Sequence, residues 1–243
     1  MSGAQYHEPV RRTLASNRTA AVCALAVVLL GSATALIFFY APTDADQGFS
    51  QRIFYFHVPI ALTAYACFGW GAWKALRVLW LRDRPAEVER LDVESYVAIH
   101  QGVVFGALTL LTGSIWARAS WGVWWSWSEN QLVLFLVLFL FYCAYFMLRF
   151  SVDDGPQRAN LSAVYALFGV VLLPVSFAAI RLSKEFLHPR VFTLSGPQFG
   201  GWILVTYLIA QVAMLVLAYT LYRIEIAGKR LDLRLRDLRE VAA

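Results

Sequence analysis

A bundle of six transmembrane helices is the fold that this chain predicts: all-α, polytopic, and set in a membrane. Three observations predict it. Of the 243 residues, 59% are hydrophobic and 15% are charged, against about 25% charged in soluble domains. Uncharged stretches near the length of about 20 residues that crosses a bilayer recur six times, at 20–41, 57–80, 95–116, 131–149, 160–181 and 201–222. Lysine and arginine are strongly biased in placement, 16 in one alternate set of tails and connections against 5 in the other.

The first stretch follows Arg11, Arg12 and Arg18 and could pass for a secretory signal. Its apolar run exceeds the usual core of about 7–15 residues, so an uncleaved anchor is expected. The second opens at His57-Val58-Pro59. Proline is tolerated in a first helical turn, where its missing N–H costs nothing, so Pro59 is read as the helix start and His57 as its outer mouth. Lys74 and Arg77 lie near the far end, where long side chains can snorkel. The third stretch carries His100 about a turn and a half from its start. Before the fourth, Ser128-Glu129-Asn130-Gln131 matches a capping box. Ser128 is expected to accept from the first free N–H groups, with Glu129 at the favourable end of the dipole. The fifth contains Pro174. Beyond the sixth, the basic run Lys229–Arg239 reads as an anchor on anionic lipid. No repeat or linker divides the chain, so one membrane domain, 1–243, is expected.

Six spans place both termini on one side, and the excess of basic residues puts that side in the cytoplasm. The net charge of +5 is thereby assigned to span ends rather than to nucleic acid. Cys23, Cys67 and Cys143 are scattered through apolar runs. They form neither a CxxC pair nor a disulfide framework, and there is no CxxCH haem-attachment site. No Walker motif is present, and no Ser-His-Asp set or carboxylate pair stands out. A non-enzymatic protein is expected.

The outer side concentrates unusual chemistry. Trp116, Trp121, Trp124, Trp125 and Trp127, five of nine tryptophans, fall within one connection. An indole has an apolar body and a single donor, and it favours interfaces. One or two would make an aromatic belt, whereas five suggest a surface for something flat and greasy. His57 and His188 lie on the same side. A lone interfacial histidine is ordinarily a polar residue at headgroup level. Two on separate segments, flanking indoles, can approach one macrocycle from opposite faces, and histidine is a common axial ligand of haem iron. Arg52, Arg118, Arg181 and Arg190 interrupt the positive-inside trend there. They suit either lipid phosphate or the carboxylates of an anionic ligand.

The residues resemble the haem-handling membrane proteins of cytochrome c maturation, and among them the CcmC (haem exporter protein C) family. The likeness extends over nearly the whole chain. It is specific at Arg52-Ile-Phe-Tyr-Phe-His57-Val-Pro59, at Leu111-Thr-Gly-Ser-Ile-Trp116 with Trp121-Gly-Val-Trp-Trp-Ser-Trp127, and at Leu187-His188. It implies haem b presented on the outer face of a bacterial cytoplasmic membrane, with His57 and His188 as axial ligands and the tryptophans as platform. It also implies the ABC-transporter subunits of the maturation system and a periplasmic haem chaperone as partners. After the last tryptophan the family carries an acidic residue, where this chain has Ser128.

Two other functions compete. A b-type electron-transfer protein would want histidine pairs at membrane depth, and only His100 is inside a span. A transporter subunit often has intramembrane charges or broken helices, and the span interiors offer little of either apart from Pro174.

Overall fold

The computed structural model describes residues 17–43, 47–182, 192–193, 196–197 and 199–242. Six helices among them are long and apolar enough to cross a membrane. α1, Asn17–Ala35, runs on through a π-helical turn at Leu36–Tyr40. A 3-10 turn, Phe49–Ile53, leads into α2, Phe54–Trp80. α3 is Pro85–Trp121, α4 Asn130–Phe150, α5 Pro156–Leu182 and α6 Gly201–Ala242. Between α5 and α6 a two-stranded antiparallel ribbon pairs Phe192 with Pro197 and Thr193 with Gly196.

The helices outrun the hydropathy pattern. α3 begins ten residues before its apolar stretch, with Pro85 in the first turn and Glu87 near the dipole's positive end. Both choices suit a helix start. α6 continues through the basic tail to Ala242. A transfer scale sees only the part of a helix that lies in lipid, whereas the backbone remains hydrogen-bonded beyond it. Pro59 does not start α2 as expected but lies inside it, five residues past Phe54. Without an N–H it cannot donate the i→i−4 hydrogen bond of a helix interior.

Two packed groups build the core. The larger joins α2 to α5 around Phe68, Leu91, Ile99, Leu138 and Tyr142, and Ala218 of α6 reaches it. The smaller ties α1 to α6 and the start of α2 through Ile37, Tyr55, Tyr207 and Ala213. In lipid, close packing rather than hydrophobic exclusion drives association, so small residues sit at crossings. A Cβ on Gly102 would stand 2.5 Å from the Phe68 ring, and one on Gly169 would stand 2.6 Å from the Tyr142 ring. Phe68 and Tyr142 are themselves stacked, with centroids 4.1 Å apart.

The ends of the bundle differ. One collects the starts of α2, α4 and α6 and the ends of α1, α3 and α5, and so holds the tryptophan segment. The other holds most of the charges. There Arg149 of α4 donates twice to Asp92 of α3, at 2.7 and 2.6 Å. Lys74 of α2 lies 2.7 Å from Glu94 of α3. His100 of α3 meets Glu225 of α6 at 2.8 Å, and Gln101 donates to the other carboxylate oxygen at 2.7 Å.

Candidate functional site

His57 lies in the first turn of α2, partly buried, and faces α3. Its Nδ1 is 2.9 Å from Oγ1 of Thr112. The Thr112 hydroxyl also donates to the carbonyl of Leu108, at 2.8 Å. Gly113, the next residue, lies against the Cε1 edge of the imidazole. A Cβ there would be 2.9 Å from Cε1 of His57 and 3.6 Å from Nδ1. The ring edge therefore abuts bare backbone, with one nitrogen held by a hydroxyl.

Trp116 is one helical turn beyond Thr112, a spacing that puts both on one face. It is buried, and its Nε1 donates to Oε1 of Gln47 at 3.3 Å. Gln47 belongs to the segment entering α2, and its carbonyl accepts from the Ser50 hydroxyl at 2.7 Å. This fastens the approach to His57 onto the end of α3. Trp121 completes the group with an edge-to-face contact on Trp116, centroids 5.1 Å apart. α3 stops there because Gly122 takes a left-handed conformation, φ 76°, which glycine adopts without a Cβ penalty.

Trp125 and Trp127 form a second pair, 5.7 Å apart and tilted at 68°. Trp124 and Trp127 are 60% and 74% exposed, so the segment presents two large rings outward rather than packing them away. Of the sequence-predicted site residues, the structure thus gathers His57, Trp116 and Trp121, pairs Trp125 with Trp127, and leaves Trp124 on the surface. His188 lies outside the described residues.

The capping expectation at Ser128 is overturned. α4 starts at Asn130, with Glu129 in the cap position and no side-chain cap. The Glu129 carbonyl accepts from Leu132 and Val133, while the Ser128 hydroxyl pairs with Ser126 at 2.9 Å. The helix begins one residue later than a Ser-to-Gln box requires. Glu129, in that cap position, is only 6% exposed.

The arginines of this end divide. Arg118 donates to the Gly122 carbonyl and so serves the end of its own helix. Arg52 lies with its guanidinium carbon 5.5 Å from the Phe49 ring centroid. Its Nη1, like Nε1 of Trp125, is buried without an acceptor among the described residues. Such donors are costly unless something accepts from them. Arg190 lies outside the described residues, as does the side chain of Arg181. Among the described residues no three His, Cys, Asp or Glu gather into a metal cage. His100, the histidine within a span, is bound to Glu225 at the far end.

Sequence reasoning missed Thr112, Gly113 and Gln47 as parts of this site. The first two stood in plain view in the Leu111–Trp116 motif. Nothing in hydropathy or spacing says that a threonine on α3 holds a histidine 55 residues away.

Six helices crossing a membrane, with a helix-borne histidine and an open tryptophan segment at one end, define a multi-pass membrane protein whose distinctive chemistry sits at one face. The family model described as Heme exporter protein C (CcmC) matches residues 4–240, and the chain belongs to that family. The Heme exporter protein C of Rhodobacter capsulatus is 31% identical over 238 residues, covering 95% of this chain and 96% of that one. That of Bradyrhizobium diazoefficiens is 31% identical over 204 residues, covering 84% and 75%. That of Escherichia coli K12 is 34% identical over 139 residues, covering 57% and 54%.

Proposed function

We propose that this protein binds haem b at its tryptophan end and presents it on the periplasmic face of the cytoplasmic membrane, for delivery to a haem chaperone in cytochrome c biogenesis. It acts as a carrier and not as a catalyst. One observation carries the reading: His57, seated on a helix crossing, shares its end of the bundle with the outward-facing rings of Trp124 and Trp127. Haem is flat, apolar over its faces and anionic at one edge. An imidazole suits the iron, indoles suit the faces, and the unsatisfied donors of Arg52 and Trp125 suit the carboxylates.

His57 and His188 serve as the two axial ligands in this reading. The loop bearing His188 returns at Phe199, whose ring lies 5.3 Å from that of Phe54, three residues before His57. The loop's exit is therefore anchored beside the helix turn that carries the first ligand. Haem is cargo here. When bound it supplies the iron, and the chain supplies the ligands, the apolar platform and the counter-charges. The exposed indoles are the surface the chaperone meets. The ABC-transporter subunits of the maturation system are the partners in the membrane.

The basic excess puts the termini in the cytoplasm and the tryptophan end outside. Cysteine at Ser126 should react with an impermeant reagent in intact cells, since the three native cysteines are partly buried within helices. Labelling only after lysis would reverse the orientation. In the purified protein, His188→Ala should lower haem content or change the axial-ligand spectrum. An unchanged spectrum would remove His188 from the site.

A further inference from the structure

We propose that Thr112 is a positioning residue that selects one tautomer of His57, placing the ring's lone pair on Nε2 for the haem iron, with Gly113 leaving the room that the ring's Cε1 edge occupies. This rests on the reading of His57 as an iron ligand. The argument begins with one proton. The Thr112 hydroxyl has a single hydrogen and three hydrogen-bond contacts, 2.8 Å to the Leu108 carbonyl, 3.3 Å to the Thr109 carbonyl and 2.9 Å to Nδ1 of His57. A carbonyl only accepts. With the hydroxyl hydrogen given to the carbonyls, the contact with His57 is a hydrogen bond in just one arrangement: Nδ1–H of His57 donates to the hydroxyl oxygen. A neutral imidazole protonated at Nδ1 carries its lone pair on Nε2. Metal-bound histidines commonly have the second nitrogen held in this way by an outer partner, which fixes ring orientation and raises ligand basicity.

The fit at Gly113 is equally specific. With a Cβ only 2.9 Å from Cε1, any residue larger than glycine at 113 forces the ring to move, and the Thr112 contact moves with it. Thr112 and Gly113 are adjacent on α3, so one turn of one helix sets both the hydrogen bond and the room for the ring's edge. Trp116, a turn further on, is held by Gln47 from the segment leading to His57. The ring's tautomer, tilt and approach are thus all referred to α3.

The test has two arms. Long-range proton–nitrogen correlation on the haem-free, full-length protein, labelled at histidine, reads the tautomer without any haem. Wild type should show His57 protonated at Nδ1. Thr112→Ser should keep that form, and Thr112→Val should shift it toward protonation at Nε2. Finding wild type protonated at Nε2, or Thr112→Val unchanged, would overturn the assignment. The second arm titrates haem. Thr112→Val should weaken affinity roughly 10–100-fold, the range for lost outer partners, and shift the axial-ligand spectrum, while Thr112→Ser stays close to wild type. The haem-free melting temperature checks that Thr112→Val is folded. If His57→Ala loses haem while Thr112→Val binds as wild type, the positioning role fails and the ligand reading stands. If His57→Ala itself binds haem with an unchanged spectrum, the ligand reading fails, and the proposal fails with it.

Discussion

The two ends of this bundle handle charged groups differently. At the basic end, charges are drawn inward and paired. The Arg149 and Asp92 side chains are only 6% and 11% exposed, their forks meet in parallel, and the guanidinium lies 4.9 Å from the Tyr96 ring centroid. Glu94 meets Lys74 at 2.7 Å and Arg230 at 3.5 Å. At the tryptophan end the buried Arg52 Nη1 and Trp125 Nε1 donors lack acceptors among the described residues, and Trp124 and Trp127 are exposed. Exposed rings occur at the basic end too, at Trp80 and Phe150, so the contrast lies in the charges. Carboxylates and cations paired across helices hold those helices together. A buried guanidinium donor without an acceptor, as at Arg52, is suited to take up an anionic group.

The largest expected effect lies at the basic end. Asp92→Ala would strand Arg149 in a buried position, and breaking such a pair costs about 3–5 kcal/mol. Replacing both partners with apolar residues of similar volume should restore much of the loss, since a buried pair is often no better than good packing. Thermal unfolding in detergent reads both. Equal loss in the single and the double variant would contradict the pairing. Next comes packing. Gly102→Ala puts a methyl 2.5 Å from the Phe68 ring, and overpacking of this kind costs about 1–3 kcal/mol. A melting temperature unchanged from wild type would show that Phe68 can move aside.

The tryptophan end should respond in the other currency. Trp124→Ala and Trp127→Ala remove exposed rings, so stability should change by no more than about 0.5 kcal/mol. Haem retention or transfer to the chaperone should fall clearly. A large stability loss with unchanged haem handling would make these rings structural and erase the contrast between the ends. The smallest effect is at Ser128. Because its hydroxyl meets Ser126 and not the start of α4, Ser128→Ala should stay within about 0.5 kcal/mol, below the range of about 0.5–2 kcal/mol for a lost N-cap. A drop in that higher range would reinstate the cap.

The contrast was partly legible in the sequence. Charge placement and six apolar stretches gave the bundle, because lipid demands length and an absence of charge. His57 and the five tryptophans were legible as residue types that bulk packing does not need in such density. The helix bounds were not. Pro85 and the polar residues up to Glu94 continue α3 beyond the apolar stretch, and Pro59 falls inside α2, where local rules suggested a start. The Ser128 box failed because a four-residue pattern cannot sense that Glu129 is drawn into the structure one position later. The pairs Thr112–His57 and His100–Glu225 join residues 55 and 125 positions apart. Only the crossing of helices brings such partners together, and no local period encodes it.

The two described helix-borne histidines give the sharpest comparison, because one sits at each end. The measurement that tests the central claim most directly is haem titration, with the axial-ligand absorption spectrum, of detergent-purified full-length protein as wild type, His57→Ala and His100→Ala. The expected result is loss of haem or an altered ligand spectrum in His57→Ala, with His100→Ala binding as wild type. Normal binding and spectrum in His57→Ala, with loss in His100→Ala, would place the haem at the basic end and contradict the assignment.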